Sequence, residues 1–216
     1  MFRNLRMRWE LRRGRALDIW STGEYPSDVL SNLCSNKFRL DGIECQSMEG
    51  FLQSLKYADP GKQRQICSMK GRNAKRQSTT TWQTDQVVWW RGRAIDRQGT
   101  EYQELLRRAY QAMFDQNERF RAALMASRGR RLYHSQGNTD TFKTILTQEE
   151  FCSILMEIRE AYDQRDKQLP PAPRIVTVAL TEFLESSDDP LETLRMISQK
   201  YDCHLYISIP DTEENL

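Results

Sequence analysis

The chain has 216 residues, 38% of them hydrophobic, with 32 Lys or Arg against 30 Asp or Glu and a formal charge of +2. This length fits one sizeable domain with room for a small appendage, and the apolar share can fill its core. No run approaches the roughly 18 apolar residues of a membrane helix, and six Arg in the first 15 residues have no apolar run behind them, so the expectation is a cytoplasmic protein, in a host cell if the source is viral.

In chain order, residues 8–19 place Trp9, Leu11, Leu17 and Ile19 among polar neighbours and read as one or two short strands around Gly14. A turn-rich stretch at 21–26 leads into Val29 to Leu33. A strand at 37–40 meets Asp41-Gly42, a strong hairpin signal, and 43–45 is the returning strand. From Ser47 the period changes. Met48, Phe51, Leu52 and Leu55 recur at helical spacing, Ser47 suits an N-cap, and Pro60-Gly61 closes the element at about residue 58. Further helices are predicted at 62–69, 73–77, 101–115, 118–126 and 148–163. Between them Val87–Trp90 is short, apolar and aromatic, and 130–134 reads as a strand that delivers His134 to a polar loop at 135–144. Leu169-Pro170-Pro171-Ala172-Pro173 is a stiff spacer. Beyond it, strand candidates at 175–179 and 204–209 flank an amphipathic helix at 191–198. The expected organisation is a basic N-terminal segment or strand (1–16), a main domain (17–163), a spacer (164–173) and an acidic β-α-β extension (174–216). The fold class is α+β, mainly helical, a single compact domain with a small N-terminal β-rich region.

Cys34, Cys45, Cys67, Cys152 and Cys203 form no C-x-x-C pair and share no repeated spacing with His134 and His204. They read as reduced thiols, with neither a disulfide framework nor a metal site, and the expected chemistry uses no metal or cofactor. Charge is unevenly spread: residues 1–76 carry 15 Lys or Arg against 8 Asp or Glu, a net +7, and residues 150–216 carry 6 against 14, a net −8. The N-terminal half can face phosphates, either of a nucleic acid or of a small phosphorylated ligand.

The helix predicted at 47–58 sorts its residues by angle. At about 100° per residue the apolar set forms one stripe, while Lys56, Glu49 and Gln53 fall together within roughly 60° on one flank. Glu49 and Lys56 stand about 10 Å apart along the axis, too far for an ordinary helical ion pair, yet both side chains reach one small ligand. Breaking an N-glycosidic bond builds positive charge on the sugar ring, so a nearby carboxylate stabilises it or moves protons, and an amine can attack the anomeric carbon. A solvated Glu–Gln–Lys face fits the same pattern.

Four words, IWSTGEYPSDVLSNL (19–33), FRLDGIECQSMEGFLQSLKY (38–57), RNAKR (72–76) and LLRRAYQAMFDQNERFRAALMAS (105–127), resemble in order and spacing the NADAR, or YbiA-like, family over residues 17–162. The most specific element is Ser47, Glu49, Gln53, Lys56 and Tyr57 in an S-x-E-x-x-x-Q-x-x-K-[FY] run, preceded by Ser31-Asn32. The resemblance implies a compact α+β domain that hydrolyses N-glycosidic bonds without metal. Activities of that family include removing ADP-ribose from guanine in nucleic acid and cleaving a ribosyl-aminopyrimidine intermediate of riboflavin synthesis. Glu49 matches the family's catalytic glutamate and Lys56 its motif lysine, with Asn32, Ser47 and Gln53 as substrate contacts.

The chain departs from the best-known pattern where YbiA-like members have an L-V-E-H strand end. Here Leu132-Tyr133-His134-Ser135 replaces the second acid with His134 and runs into Thr144, Leu146, Thr147, Glu150, Phe151 and Cys152, as in a subset of relatives. His134 is then a candidate proton shuttle, or a structural histidine at a strand end. Asp140 is a candidate replacement acid, or a turn former. Trp82 and Trp90, near Arg91 and Arg93, are candidates to stack a base, or core residues. The expected partner is therefore an ADP-ribosylated nucleic acid or a nucleotide-like small molecule. The alternatives are a riboflavin-pathway glycosidase and a non-catalytic ADP-ribose or nucleic-acid reader.

Overall fold

The structure, a computed structural model, describes residues 2–168 together with Asp189, Glu192, Arg195 and Met196. The chain divides into two units, Met1–Gln164 and Arg165–Leu216, and the Pro-rich stretch and the β-α-β extension expected beyond it lie outside the described residues. The first unit is mixed and mainly helical. Its strands form three two-stranded ladders.

The first surprise is at the N-terminus, where α1 (Phe2–Arg12) is a helix rather than the expected strand. Arg, Leu and Met are good helix formers, and the alternation of Trp9 with Leu11 is too short to override them. Gly14, at φ 67, takes the left-handed conformation that ends the helix. Only then does the chain extend into β1 (Ala16–Asp18), which pairs in parallel with β6 (Arg131–Tyr133), Leu17 opposite Leu132.

Asp41 and Gly42, at φ 48 and 83, make the mirror-image turn that a two-residue hairpin demands, joining β2 (Phe38–Leu40) to β3 (Ile43–Cys45). Arg91 and Gly92, at φ 55 and 78, do the same between β4 (Val87–Trp90) and β5 (Arg93–Asp96). β5 has no sequence signal because only Ile95 of its four residues is buried.

The core is built on α6 (Thr100–Gln116), whose Tyr102, Leu105, Leu106, Ala109, Tyr110, Met113 and Phe114 are all buried at helical spacing. α7 (Glu118–Ala126) follows immediately, capped by the Asn117 side chain. Against α6 lies α3 (Met48–Ser54), with Met48, Phe51 and Leu52 in the core. Gly50 sits over the C-terminal carbonyls of α4 (Pro60–Cys67), where a Cβ would come within 3.1 Å of Ile66 O. α4 starts at Pro60, a residue that has no N–H to lose in a first turn; Asp59 caps it. Gly71 opens α5 (Gly71–Lys75) so close to the chain at Leu33 that a Cβ would stand 2.3 Å from Leu33 O.

The last helix, α8 (Gln148–Gln168), begins on an interlocked set of bonds. Thr147 Oγ1 accepts from Glu150 N while Glu150 Oε2 accepts from Thr147 N, a reciprocal capping box. Glu150 also pairs bidentately with Arg97, whose guanidinium is fully buried, donates to Thr144 O and lies 4.6 Å from the Tyr102 ring centroid. Burial alone would raise the Glu150 carboxyl, but Arg97, the Thr147 N–H and Gln103 hold it below its ordinary value. This network fixes the loop before α8 and with it the position of Phe151. Cys34, Cys45, Cys67 and Cys152 are free thiols.

Candidate functional site

The parallel pairing of β1 with β6 brings two chain segments out side by side. Ile19 N donates to Tyr133 O at 2.8 Å, so Trp20 and His134 emerge next to one another at the same end of the ladder. His134 Nδ1 lies 2.7 Å from Ile19 O. A carbonyl can only accept, so Nδ1 carries the proton and Nε2 of the neutral ring is left as an acceptor. The Phe151 ring packs edge-on against the imidazole, centroids 5.4 Å apart. Gly137 passes so near that a Cβ would stand 2.6 Å from His134 Cδ2.

These residues face a pocket of about 130 Å³ whose walls include Trp20, Asn32, Glu49, Lys75, His134 and Phe151. Glu49 comes from the first turn of α3, and its N–H donates to Asn32 O at 2.9 Å, which joins the helix start to the Ser31-Asn32 segment. Its carboxylate accepts from Gln53 Nε2 at 2.9 Å, one helical turn away. Asn32 is oriented in turn by Tyr110, whose hydroxyl donates to Asn32 Oδ1 at 2.8 Å. Burial pushes the Tyr110 phenol well above its ordinary value, so it stays a neutral donor. With Oδ1 engaged, the Asn32 amide NH₂ is the end left for a ligand.

Lys56 lies just beyond the helix, past the C-cap Leu55, because α3 closes earlier than residue 58. It is 8% exposed, donates from Nζ to Ser78 Oγ at 2.8 Å, and does not line the pocket. Desolvation lowers its amine to about 8, against an opposing pull from the Glu49 charge. The acid and the amine therefore sense each other although they are not in contact.

Four of the residues marked in the sequence hold other places. Ser47 is fully buried and its hydroxyl caps α3 by accepting from Gly50 N, so it has no free face for a substrate. Trp82 is 1% exposed in the core. Trp90 is buried too, edge-on to Phe51 and donating to Asp41 Oδ2 at 2.7 Å, so neither indole offers a surface to a base. Asp140 accepts from Phe142 N and sits 3.6 Å from Lys143 Nζ, the side-chain turn its loop suggested, and it does not line the pocket. Gln53 is a support for Glu49 rather than a wall. Its Oε1 is buried without a partner among the described residues.

The sequence reading missed Trp20, Lys75, Phe151 and Tyr110. Trp20 is 44% exposed at the pocket, with its indole edge packed on Gly23 and its backbone N–H held by Ser27 Oγ. A tryptophan beside a turn of Ser, Thr and Gly was the available signal. Among the described residues no group of three or more His, Cys, Asp or Glu is placed to hold a metal ion, and no helix is long and apolar enough to cross a membrane.

The structure is a mainly helical α+β domain in which a carboxylate, an amide, an imidazole and two aromatic rings surround a small hollow at the ends of two parallel strands. The chain belongs to the family described as bacteriophage protein GP30.3, whose profile matches residues 24–160. An uncharacterized 17.1 kDa protein of the Gp30–rIII intergenic region of Enterobacteria phage T4 is 36% identical over 148 residues, 67% of this chain and 97% of that relative. The fold is similar to that of the Escherichia coli protein YbiA, whose NMR structure aligns with a TM-score of 0.54 at 18% identity, covering 73% of this chain and 90% of that one. The YbiA-like resemblance drawn from the motifs thus holds for the fold.

Proposed function

We propose that this protein is a NADAR-type hydrolase of N-glycosyl bonds that releases ADP-ribose from a modified guanine in DNA or RNA. The observation that carries the reading is the setting of Glu49, a carboxylate aimed into a pocket of about 130 Å³ and oriented by Gln53, with the Asn32 amide beside it. That volume suits a sugar and part of a base rather than a whole dinucleotide. In this reaction the bond between C1′ and the base nitrogen breaks, water adds its hydroxyl to C1′, and its proton ends on the base. Glu49 stabilises the positive charge that develops on the ribose and orients the water. Asn32 donates to a ribose hydroxyl. Lys56 acts as the electrostatic partner of Glu49, since its amine is near enough to feel the carboxylate but does not line the pocket.

The test uses a guanine-ADP-ribosylated oligonucleotide and detection of free ADP-ribose. Wild type releases it, and Glu49→Gln folds normally with release reduced by a factor on the order of 10² to 10⁴. Full activity in that variant removes Glu49 from the chemistry. A reader would bind the oligonucleotide and release nothing, and a riboflavin-pathway glycosidase would ignore it.

A further inference from the structure

α1 and β1 precede the segment matched by the GP30.3 profile, and their arginines are not used by the site described above. Arg8, Arg12, Arg13 and Arg15 are exposed and make no ion pair among the described residues. The Arg13 and Arg15 guanidinium groups lie 4.7 and 5.4 Å from the centroid of the exposed Trp9 ring. One indole therefore organises two cations that would otherwise point apart, in the geometry of a cation–π contact. The helix is also docked rather than hanging free. Glu10 is buried, accepts from Arg6 Nε at 2.8 Å and from the Tyr133 hydroxyl at 2.7 Å, and so ties α1 to β6. Arg6 and the exposed Arg131 then border a hollow that reaches His134, the residue that also lines the Glu49 pocket.

Arg13 and Arg15, gathered on Trp9 on the same side of the docked helix as Arg6, adjoin Arg131 and the hollow that reaches the pocket, and this cluster is complementary to a chain of phosphates. Arginine is suited to this because its planar fork binds phosphate oxygens with little further ordering. We infer that α1, with Arg15 and Arg131, is a docking surface for the phosphodiester backbone of a nucleic acid, holding the strand that flanks the nucleotide in the pocket. The inference deepens the proposed reaction by naming the surface that holds the flanking strand, and rests on it for what occupies the pocket. The binding itself is measured without turnover.

The probe is an unmodified, fluorescein-labelled oligothymidylate of about 20 nucleotides, followed by anisotropy between roughly 50 and 200 mM salt. Wild type binds, with an affinity that falls steeply as salt rises. The triple variant Arg13→Ser, Arg15→Ser, Arg131→Ser binds at least about tenfold more weakly, and its log–log salt slope is smaller by about 2, as expected for three lost contacts to a single strand. Glu49→Gln binds the probe as wild type does, so loss of catalysis and loss of docking are separate results. No binding by wild type, a wild-type slope near zero, or an unchanged triple variant overturns the inference. So does capture of the protein by anionic phosphatidylserine vesicles under conditions where it ignores the oligonucleotide. Should the triple variant not fold, the single variants Arg13→Gln and Arg15→Gln, both at exposed positions, carry the same test, each with a smaller loss of affinity.

Discussion

Replacing Lys56 by Met separates what this residue does for the reaction from what it does to stability. The ammonium is 8% exposed, its one hydrogen-bond acceptor is the Ser78 hydroxyl, and burial brings its pKa from 10.5 to about 8. Below pH 8 the lysine is charged in both the folded and the unfolded chain, and the folded state bears the whole desolvation penalty. Between pH 8 and 10.5 the unfolded chain still holds the proton and the folded one does not, so folding gains stability as pH rises. At about 1.4 kcal/mol per pH unit the shift amounts to about 3 kcal/mol. Methionine keeps the length of the side chain and removes the charge, and the exposed Ser78 hydroxyl returns to water at little penalty. Lys56→Met is therefore expected to be more stable than wild type by about 2 kcal/mol at pH 7, or roughly 4–8 °C in Tm for a domain of this size. It should also lose most of the proposed glycosidase activity. Urea unfolding of both proteins from pH 6.5 to 10 reads the difference directly, and comparison of the two curves cancels the tyrosines and thiols that titrate in the same range. The advantage of the variant should shrink steadily above pH 8. A variant less stable than wild type at pH 7, or a difference that does not change with pH, refutes the reasoning.

Three further outcomes follow from named contacts. Glu150→Gln leaves the fully buried Arg97 guanidinium without its counter-charge, and unfolding experiments should show a loss of about 3–5 kcal/mol. Tyr110→Phe removes the donor that orients Asn32, so kcat should fall about tenfold while stability falls by only about 1 kcal/mol, measured by steady-state kinetics beside thermal melts. Trp20→Ala removes the exposed ring at the pocket rim, and KM for the modified oligonucleotide should rise about tenfold, the effect of losing about 1–3 kcal/mol of base stacking. A change confined to kcat would place the indole outside the binding step.

How much of this could be read from the sequence depends on how far apart the cooperating residues lie. Where one segment carries its own pattern, the reading was sound. Asp41-Gly42 makes the hairpin, the helices expected at 101–115 and 118–126 form as α6 and α7, and Ser47 begins α3. Patterns shorter than an element misled, as with Trp9 and Leu11 in α1, or were silent, as in β5 with its single buried residue. Trp82 and Trp90 could be read as ligand platforms or as core residues because local composition cannot tell a core indole from an exposed one, and the structure places both in the core. The pocket draws on residues 20, 32, 49, 75, 134 and 151. The pairing of β1 with β6, the close approach of Gly71 to Leu33, the Glu49 N–H on Asn32 O and the Arg97–Glu150 pair bring them together, and none of these leaves a mark in any one stretch of sequence.

The same geometry bears on how the proposed reaction manages with one acid. Glycosidases commonly use two carboxylates, one for the sugar and one for the leaving group. Asp140 is committed to its own turn, and Glu150, the carboxylate nearest in sequence to the pocket-lining Phe151, is consumed by Arg97 and the start of α8. Glu49 is then the carboxylate of the pocket wall, and of the two other titratable side chains on that wall, Lys75 and His134, the proposed reaction assigns the departing base to His134. Its Nδ1 proton is fixed on Ile19 O and its Nε2 is open, an arrangement that suits accepting a proton from water and passing it on. A guanine leaving group needs less help than an alkoxide, because its ring system delocalises the electron pair it takes away. In the proposed reaction one carboxylate for the ribose and one imidazole for the base would be a sufficient set, with His134 deciding how the leaving group is protonated and Glu49 supplying the charge that the sugar requires.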